Sequence, residues 1–304
     1  MNARPSDRSG GSLKVLPRRD PNAPAPLPGV VMVCGGGGAK AAAHVGALRA
    51  LEEAGLLPDH FFGTSMGAVL AALFASGLTA SEALERIGSV GAREIIRAEP
   101  LAFLKSFWAR SLLKPAPFRR AIERMFGTRR FEDLRSPLTV TATVMDTGQL
   151  VLFGEGGVSV PLVDALCATC ALPLFFPPVA IHGRRYADGG LRAVLPLEAA
   201  SVVPARLVVA IDVGPGFDEM RAPPPPGLPP VVETHNEAIG ILMAEQTRLA
   251  LALWRQNPNR PRLLYVRPVE DRGATFRVDQ VQRYAEEGYT ATRAALAGLK
   301  SGAG

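Results

Sequence analysis

Four consecutive glycines, Gly35 to Gly38, stand between a short apolar run, Gly29-Val-Val-Met-Val-Cys34, and a segment of helical spacing that begins at Lys40. Glycine tolerates backbone conformations and close approaches that a Cβ forbids. Four in a row at a strand-to-helix joint therefore predict a loop whose amides point into one concavity beside a helix N-terminus, where negative charge is stabilised. Ala43, Val45, Ala47, Leu48 and Leu51 give the helix, expected over residues 40–54, a buried face, and Gly55 gives it a stop. Two nucleotide readings fail on spacing. A phosphate loop needs glycine before the lysine and Ser or Thr after it, but Ala39 and Ala41 flank Lys40; a dinucleotide fingerprint counted from Gly36 needs glycine where Ala41 stands. A plain tight turn stays open for this loop taken alone.

A second unit of the same kind follows. His60-Phe-Phe62 reads as a strand, Gly63-Thr-Ser65-Met-Gly67 as a sharp turn, and residues 68–76 as a helix apolar on every side, hence buried. A G-x-S-x-G string between a strand and a helix is the context of a nucleophile elbow, in which the serine sits on strained backbone and the flanking glycines, here Gly63 and Gly67, admit the neighbouring chain. Attack by Ser65 on an ester carbonyl would create an oxyanion, and amides of Gly36, Gly37 and Gly38 could receive it.

The base is less evident. His44 falls within the first helix and His60 at a strand, both expected to be structural, and His182 lies at a turn beside Gly183. His235 with Asp212 would complete the order Ser, Asp, His of an α/β-hydrolase triad. Against it stands Tyr186-Ala-Asp188-Gly189-Gly190, a strand ending in an aspartate with glycines clearing space around it, which could take a proton from serine directly. An Asp-Gly turn without chemistry has the same appearance.

The rest of the chain alternates strand and helix. Residues 138–145 and 149–153 form a predicted hairpin around Asp146-Thr-Gly148, with later strands at 184–187, 207–213 and 263–266, so an α/β fold with a largely parallel sheet is expected. Residues 1–28 carry five basic and two acidic groups among Pro, Ser and Gly, and read as a disordered basic tail. Residues 29–304 are expected to form one domain, with an exposed loop over 214–230 around the tract Pro223 to Pro226. The start lacks the apolar core of a secretory signal, and no apolar run reaches the roughly 18 residues of a spanning helix, which points to a cytoplasmic protein. Three cysteines make no disulfide framework. Cys167-Ala-Thr-Cys170 has no second pair to complete a zinc site, so both thiols are expected to be buried and structural.

Taken together and in order, GGGGAKAAAHVGALRALEEAG, GTSMGAVLAALFASG, TVTATVMDTGQLVLF, ALPLFFPPV and YADGGL resemble the patatin-like phospholipases from about Val30 to Val213. The resemblance implies a three-layer α/β/α fold and a Ser-Asp dyad acting on lipid acyl esters, with no metal and no cofactor. Matched by motif, Ser65 is the nucleophile, Asp188 the base, Gly36 to Gly38 the oxyanion hole, and Lys40 the basic residue that follows those glycines. Ala41 stands where the family usually has glycine, and Ala193 and Val194 where asparagines are common.

Substrate contact is expected elsewhere. Of the net charge of +6, residues 103–130 account for eight basic groups against Glu123 alone, so tail and segment together leave the remaining chain four units negative. Phe103, Phe107, Trp108, Phe118 and Phe126 interleave with those charges, as in an amphipathic cap lying on an anionic phospholipid surface; an aromatic core face with a solvated basic face fits equally. No nucleic-acid motif accompanies the basic composition. A rival of another class is a non-catalytic lipid-binding or interaction protein that keeps the fold.

Overall fold

The computed structural model describes residues 29–89, 111–217, 220–221, 230–272 and 277–301. The basic tail over 1–28, the first part of the basic segment with Phe103, Phe107 and Trp108, and the Pro223 to Pro226 tract lie outside them.

One sheet organises the chain. Its strands are β1 (Val30–Cys34), β2 (His60–Gly63), β3 (Leu138–Val144), β4 (Leu150–Gly154), β5 (Val179–Ile181), β6 (Arg184–Asp188), β7 (Leu207–Ile211) and β9 (Arg262–Val266). They run in the order β5-β6-β3-β2-β1-β7-β9, with β4 on β3; a two-residue pair, β8 (Met220–Arg221) and β10 (Asp271–Arg272), stands apart. Pairings among β9, β7, β1, β2 and β3 are parallel; β4, β5 and β6 pair antiparallel.

Strands β1 and β7 are apolar and buried at every position because both sheet faces are covered there. The period of two assigns the residues: Val30, Met32 and Cys34 of β1 join the larger core on one face, while Val31 and Val33 join the smaller one on the other. β7 divides likewise, Val209 and Ile211 from Val208 and Ala210. On the larger core lie α1 (Ala43–Glu53), α2 (Met66–Ala75), α3 (Ala80–Gly88), α4 (Pro115–Phe126), α5 (Leu162–Thr169) and α9 (Val281–Ser301). The opposite face carries the short α6 (Gly190–Ala193), α7 (Leu197–Ala200) and the 27-residue α8 (Pro230–Gln256), whose Trp254 reaches the smaller core. The fold is thus three-layered, helix on sheet on helix.

Several boundaries differ from expectation for local reasons. The first helix opens as a 3₁₀ turn, Gly38–Ala42, before α1, because the glycine loop winds tightly onto it. The buried helix α2 begins at Met66, not residue 68, which makes Ser65 its N-cap. In α4, Phe118, Ile122, Met125 and Phe126 are buried while Lys114, Arg119, Arg120 and Arg124 are exposed. The two described aromatics of the basic segment therefore face the protein body, and its described basic groups face solvent.

Candidate active site

The long strand β3 brings the two key residues together. One edge carries β4; the other is shared, with β2 paired through Gly63↔Val140 and β6 through Asp188↔Ala142. Because β2 runs parallel and β6 antiparallel to β3, their C-terminal ends point at each other across Thr141. The chain after β2 turns through Thr64 into Ser65, and Asp188 is the last residue of β6. Thr141 Oγ1 bonds Thr64 Oγ1 at 2.7 Å, and Gly189 is packed so closely on Thr141 that a Cβ there would collide with its hydroxyl.

Ser65 has φ 54° and ψ −134°, a left-handed region that costs a non-glycine residue about 1–3 kcal/mol. Its surroundings hold it there. The Ser65 amide donates to Thr169 Oγ1 at 2.8 Å, and α2 starts at the next residue. Gly67 in that first turn packs onto the carbonyls of Cys34 and Gly35, and a Cβ would strike both oxygens, so the elbow and the glycine loop are locked face to face. The Ser65 hydroxyl donates to Asp188 Oδ2 at 2.7 Å.

Asp188 is buried, its other oxygen accepting the Gly190 amide at 2.7 Å. Its own amide donates to Ala171 O and its carbonyl accepts from Thr143 Oγ1, so the backbone is pinned on both sides. Burial raises its pKa from 3.8 to about 6, against the opposing effect of the Ser65 and Gly190 hydrogen bonds. The desolvation that disfavours its charge also makes it a stronger base than an exposed aspartate.

The glycine loop lies across from this pair. Gly36, Gly37 and Gly38 line the same cavity as Ser65 and Asp188, but their amides are not equivalent. The Gly36 amide already donates to Val194 O at 2.8 Å and the Gly35 amide to Ile211 O at 3.1 Å. Of the three expected oxyanion donors, the Gly36 amide is therefore already engaged. Gly37 is a glycine because the Val213 carbonyl occupies the place of its Cβ. Lys40, buried in the 3₁₀ turn, donates to Gly214 O at 3.2 Å. His44 is buried and neutral, burial lowering its pKa to about 4; its Nε2–H donates to Gly35 O at 2.9 Å, and Nδ1 has no partner among the described residues.

The cavity measures about 190 Å³ and its walls are apolar, with Met66, Phe118, Leu172, Phe175, Phe176 and Met243 around the serine. Phe118 of α4 stacks at a tilt on Phe176, ring centroids 5.4 Å apart. Apolar walls surrounding one hydroxyl and one carboxylate suit an ester with hydrocarbon substituents.

The other candidates fall away from this centre. Asp212 is fully buried, but its oxygens accept from the Gly214 amide, Tyr265 and Arg267, and His235 is exposed on α8. The carboxylate on Ser65 is Asp188, not Asp212. His60 is buried and stacks on Phe62, and His182 is exposed at the β5–β6 turn. Cys34, Cys167 and Cys170 are free and buried; burial pushes Cys167 up to about 12 and Cys170 well above its ordinary value. Cys170 lines the cavity as an un-ionised thiol. Among the described residues no group of three or more His, Cys, Asp or Glu could hold a metal ion, and no helix is long and apolar enough to cross a membrane. Thr141, Thr169 and Met243 carried no signal in the sequence. Ala193 and Val194 serve through backbone carbonyls, which accept from Thr64 Oγ1 and Gly36 N, so asparagine side chains are not needed for these bonds.

Residues 32–201 match the family model described as Patatin-like phospholipase. Patatin-like phospholipase domain-containing protein 6 of Mus musculus is 32% identical over 187 residues, covering 61% of this chain and 13% of that protein. An uncharacterized NTE family protein of Mycobacterium tuberculosis is 33% identical over 187 residues, covering 61% of this chain and 49% of its own length. The chain thus spans between an eighth and a half of these relatives. VipD from Legionella pneumophila superposes with a TM-score of 0.48 at 16% identity, covering 90% of this chain and 67% of that one.

Proposed function

The chain belongs to the patatin-like phospholipase family, and on that premise we propose that it is a serine hydrolase that cleaves carboxylic esters of lipids through Ser65 and Asp188. The observation that carries this reading is the 2.7 Å hydrogen bond from the Ser65 hydroxyl to a buried carboxylate whose pKa is raised to about 6, at the floor of an apolar cavity. A base of that strength is ionised at neutral pH and still able to hold a proton in transit.

The reaction proceeds in two halves. Ser65 Oγ attacks the ester carbonyl as its proton passes to Asp188, and the carbonyl oxygen, now an anion, receives the Gly37 and Gly38 amides beside the N-terminus of α2. Collapse expels the alcohol, which takes the proton from Asp188, leaving Ser65 acylated. Water then attacks the acyl group, giving its proton to Asp188, and the second tetrahedral intermediate releases the carboxylic acid as that proton returns to Ser65. Every proton transfer is assigned to Ser65, Asp188 and water.

The expected substrate is a phospholipid or another lipid ester, met at an anionic membrane surface through the basic face of α4 and the segment before it. Product profiling of lipid vesicles with wild type and Ser65→Ala tests the activity: free fatty acid formed by wild type alone supports it, and equal release by both contradicts it. Vesicle flotation that fails to depend on anionic lipid would remove the membrane contact while leaving the chemistry intact.

A further inference from the structure

Asp212 has no part in the reaction above, yet it is fully buried and both its oxygens are engaged. It follows β7 directly, and its amide donates to Val266 O at 2.8 Å. Oδ1 accepts the Gly214 amide at 2.9 Å, closing a tight turn over Asp212-Val213-Gly214. Oδ2 accepts from Tyr265 at 2.7 Å and from Arg267 Nη1 at 2.9 Å, two groups brought beside it by β9.

The turn that Asp212 closes is the surface on which the glycine loop rests. Gly35 bonds Ile211 O, and the Val213 carbonyl fills the space where Gly37 would carry a Cβ. The Gly214 carbonyl accepts Lys40 Nζ from the 3₁₀ turn that continues the loop, with Arg267 Nη2 at 3.4 Å from the same oxygen. Pro215, next in the chain, lines the cavity. Any tilt of the Val213 or Gly214 peptide is therefore passed to Gly37 and Gly38.

We propose that Asp212, held by Arg267 and Tyr265, is a positioning residue that sets the direction of the Gly37 and Gly38 amides toward the oxyanion without touching the substrate. A carboxylate suits this place because one group accepts three hydrogen bonds, one from its own turn and two from the end of β9. Asparagine offers only one oxygen, and turns an NH₂ toward either the Gly214 amide or the Arg267 guanidinium, both of which are donors. The inference rests on the reading of Gly37 and Gly38 as oxyanion donors.

The test uses the full chain and a soluble short-chain ester, with Tyr265→Phe, Arg267→Lys and Asp212→Asn in order of increasing damage. Active sites are counted by fluorophosphonate labelling, so misfolded protein does not enter the rate. kcat per labelled site is expected to fall progressively, to roughly one hundredth in Asp212→Asn, the scale of misplacing a reacting geometry by about an ångström, with KM little changed. Inhibition by a trifluoromethyl ketone, which forms an oxyanion on the serine, should weaken in proportion to kcat/KM, while the corresponding alcohol binds as before. A merely structural role would lower thermal stability and the labelled fraction but leave kcat per site and ketone inhibition unchanged, and that result overturns the proposal. Should Asp212→Asn not fold, the two milder variants decide by the same measures. Failure of the hydrolase reading looks different: Ser65→Ala would then keep the wild-type rate.

Discussion

Replacing Asp188 by asparagine should make the protein more stable as it makes it inactive, and only above a definite pH. The carboxyl group is buried and its pKa stands at about 6 in the fold against an ordinary 3.8. Below about pH 3 it is protonated in both folded and unfolded chains and contributes no pH dependence. Between 3.8 and 6 the unfolded chain releases a proton that the folded protein keeps, so stability falls as pH rises, and above 6 the loss is complete. A shift of about two units corresponds to about 3 kcal/mol, a substantial part of a typical domain stability. Asparagine keeps the shape, its oxygen can still accept the Gly190 amide, and it carries no charge to desolvate. Urea unfolding followed by the fluorescence of buried Trp254 should give nearly equal stabilities for Asp188→Asn and wild type near pH 4. The variant should lead by up to about 3 kcal/mol near pH 8. A difference independent of pH, or a variant weaker at pH 8 than at pH 4 relative to wild type, would refute the argument that burial dominates this carboxylate.

Three further outcomes follow from local geometry. Ser65→Gly should raise folding stability by about 1 kcal/mol in urea melts, because glycine adopts φ 54° without strain, whereas Ser65→Ala retains the strain and should show no such gain. Gly37→Ala drives a Cβ into the Val213 carbonyl, so kcat for a soluble ester should fall by about 100-fold or more with a much smaller change in KM. Phe118→Ala removes a nearly buried ring that walls the cavity and should cost about 3 kcal/mol of stability while shifting the preference toward longer acyl chains, read by hydrolysis of a chain-length series.

Much of this site was legible because its chemistry depends on residues with few other uses. Glycines at Gly37 and Gly67 mark places where two backbones meet, and a serine between Gly63 and Gly67 ahead of an apolar helix marks a strained turn. Long-range pairing was harder to read. Nothing in the residues of β2 and β6 says that they share one edge of β3, although that sharing is what brings Ser65 to Asp188. Asp212 and His235 suggested a triad because a carboxylate after a strand and a later histidine are all that sequence shows; the partners that occupy Asp212 come from β9, 53 and 55 residues on. Thr169 and Thr141 were invisible for another reason, since threonine is common in both helices and strands and only position gives these two a task. The Gly36 amide could not be told from its neighbours until Val194 O was found on it. In α4 the sequence left two faces equally plausible, and packing resolved them by turning Phe118 and Phe126 inward.

The account stands on Ser65 as nucleophile and Asp188 as its base, and one measurement reaches both. Wild type, Asp188→Asn and His235→Ala are treated with a fluorophosphonate at neutral pH, and the adduct is located and timed by peptide mass spectrometry. The account predicts a single adduct on Ser65, formed at the same rate in wild type and His235→Ala and slowed by at least about 100-fold in Asp188→Asn. Labelling of Ser65 that survives the loss of Asp188 but not of His235, or an adduct on any other residue, would contradict it.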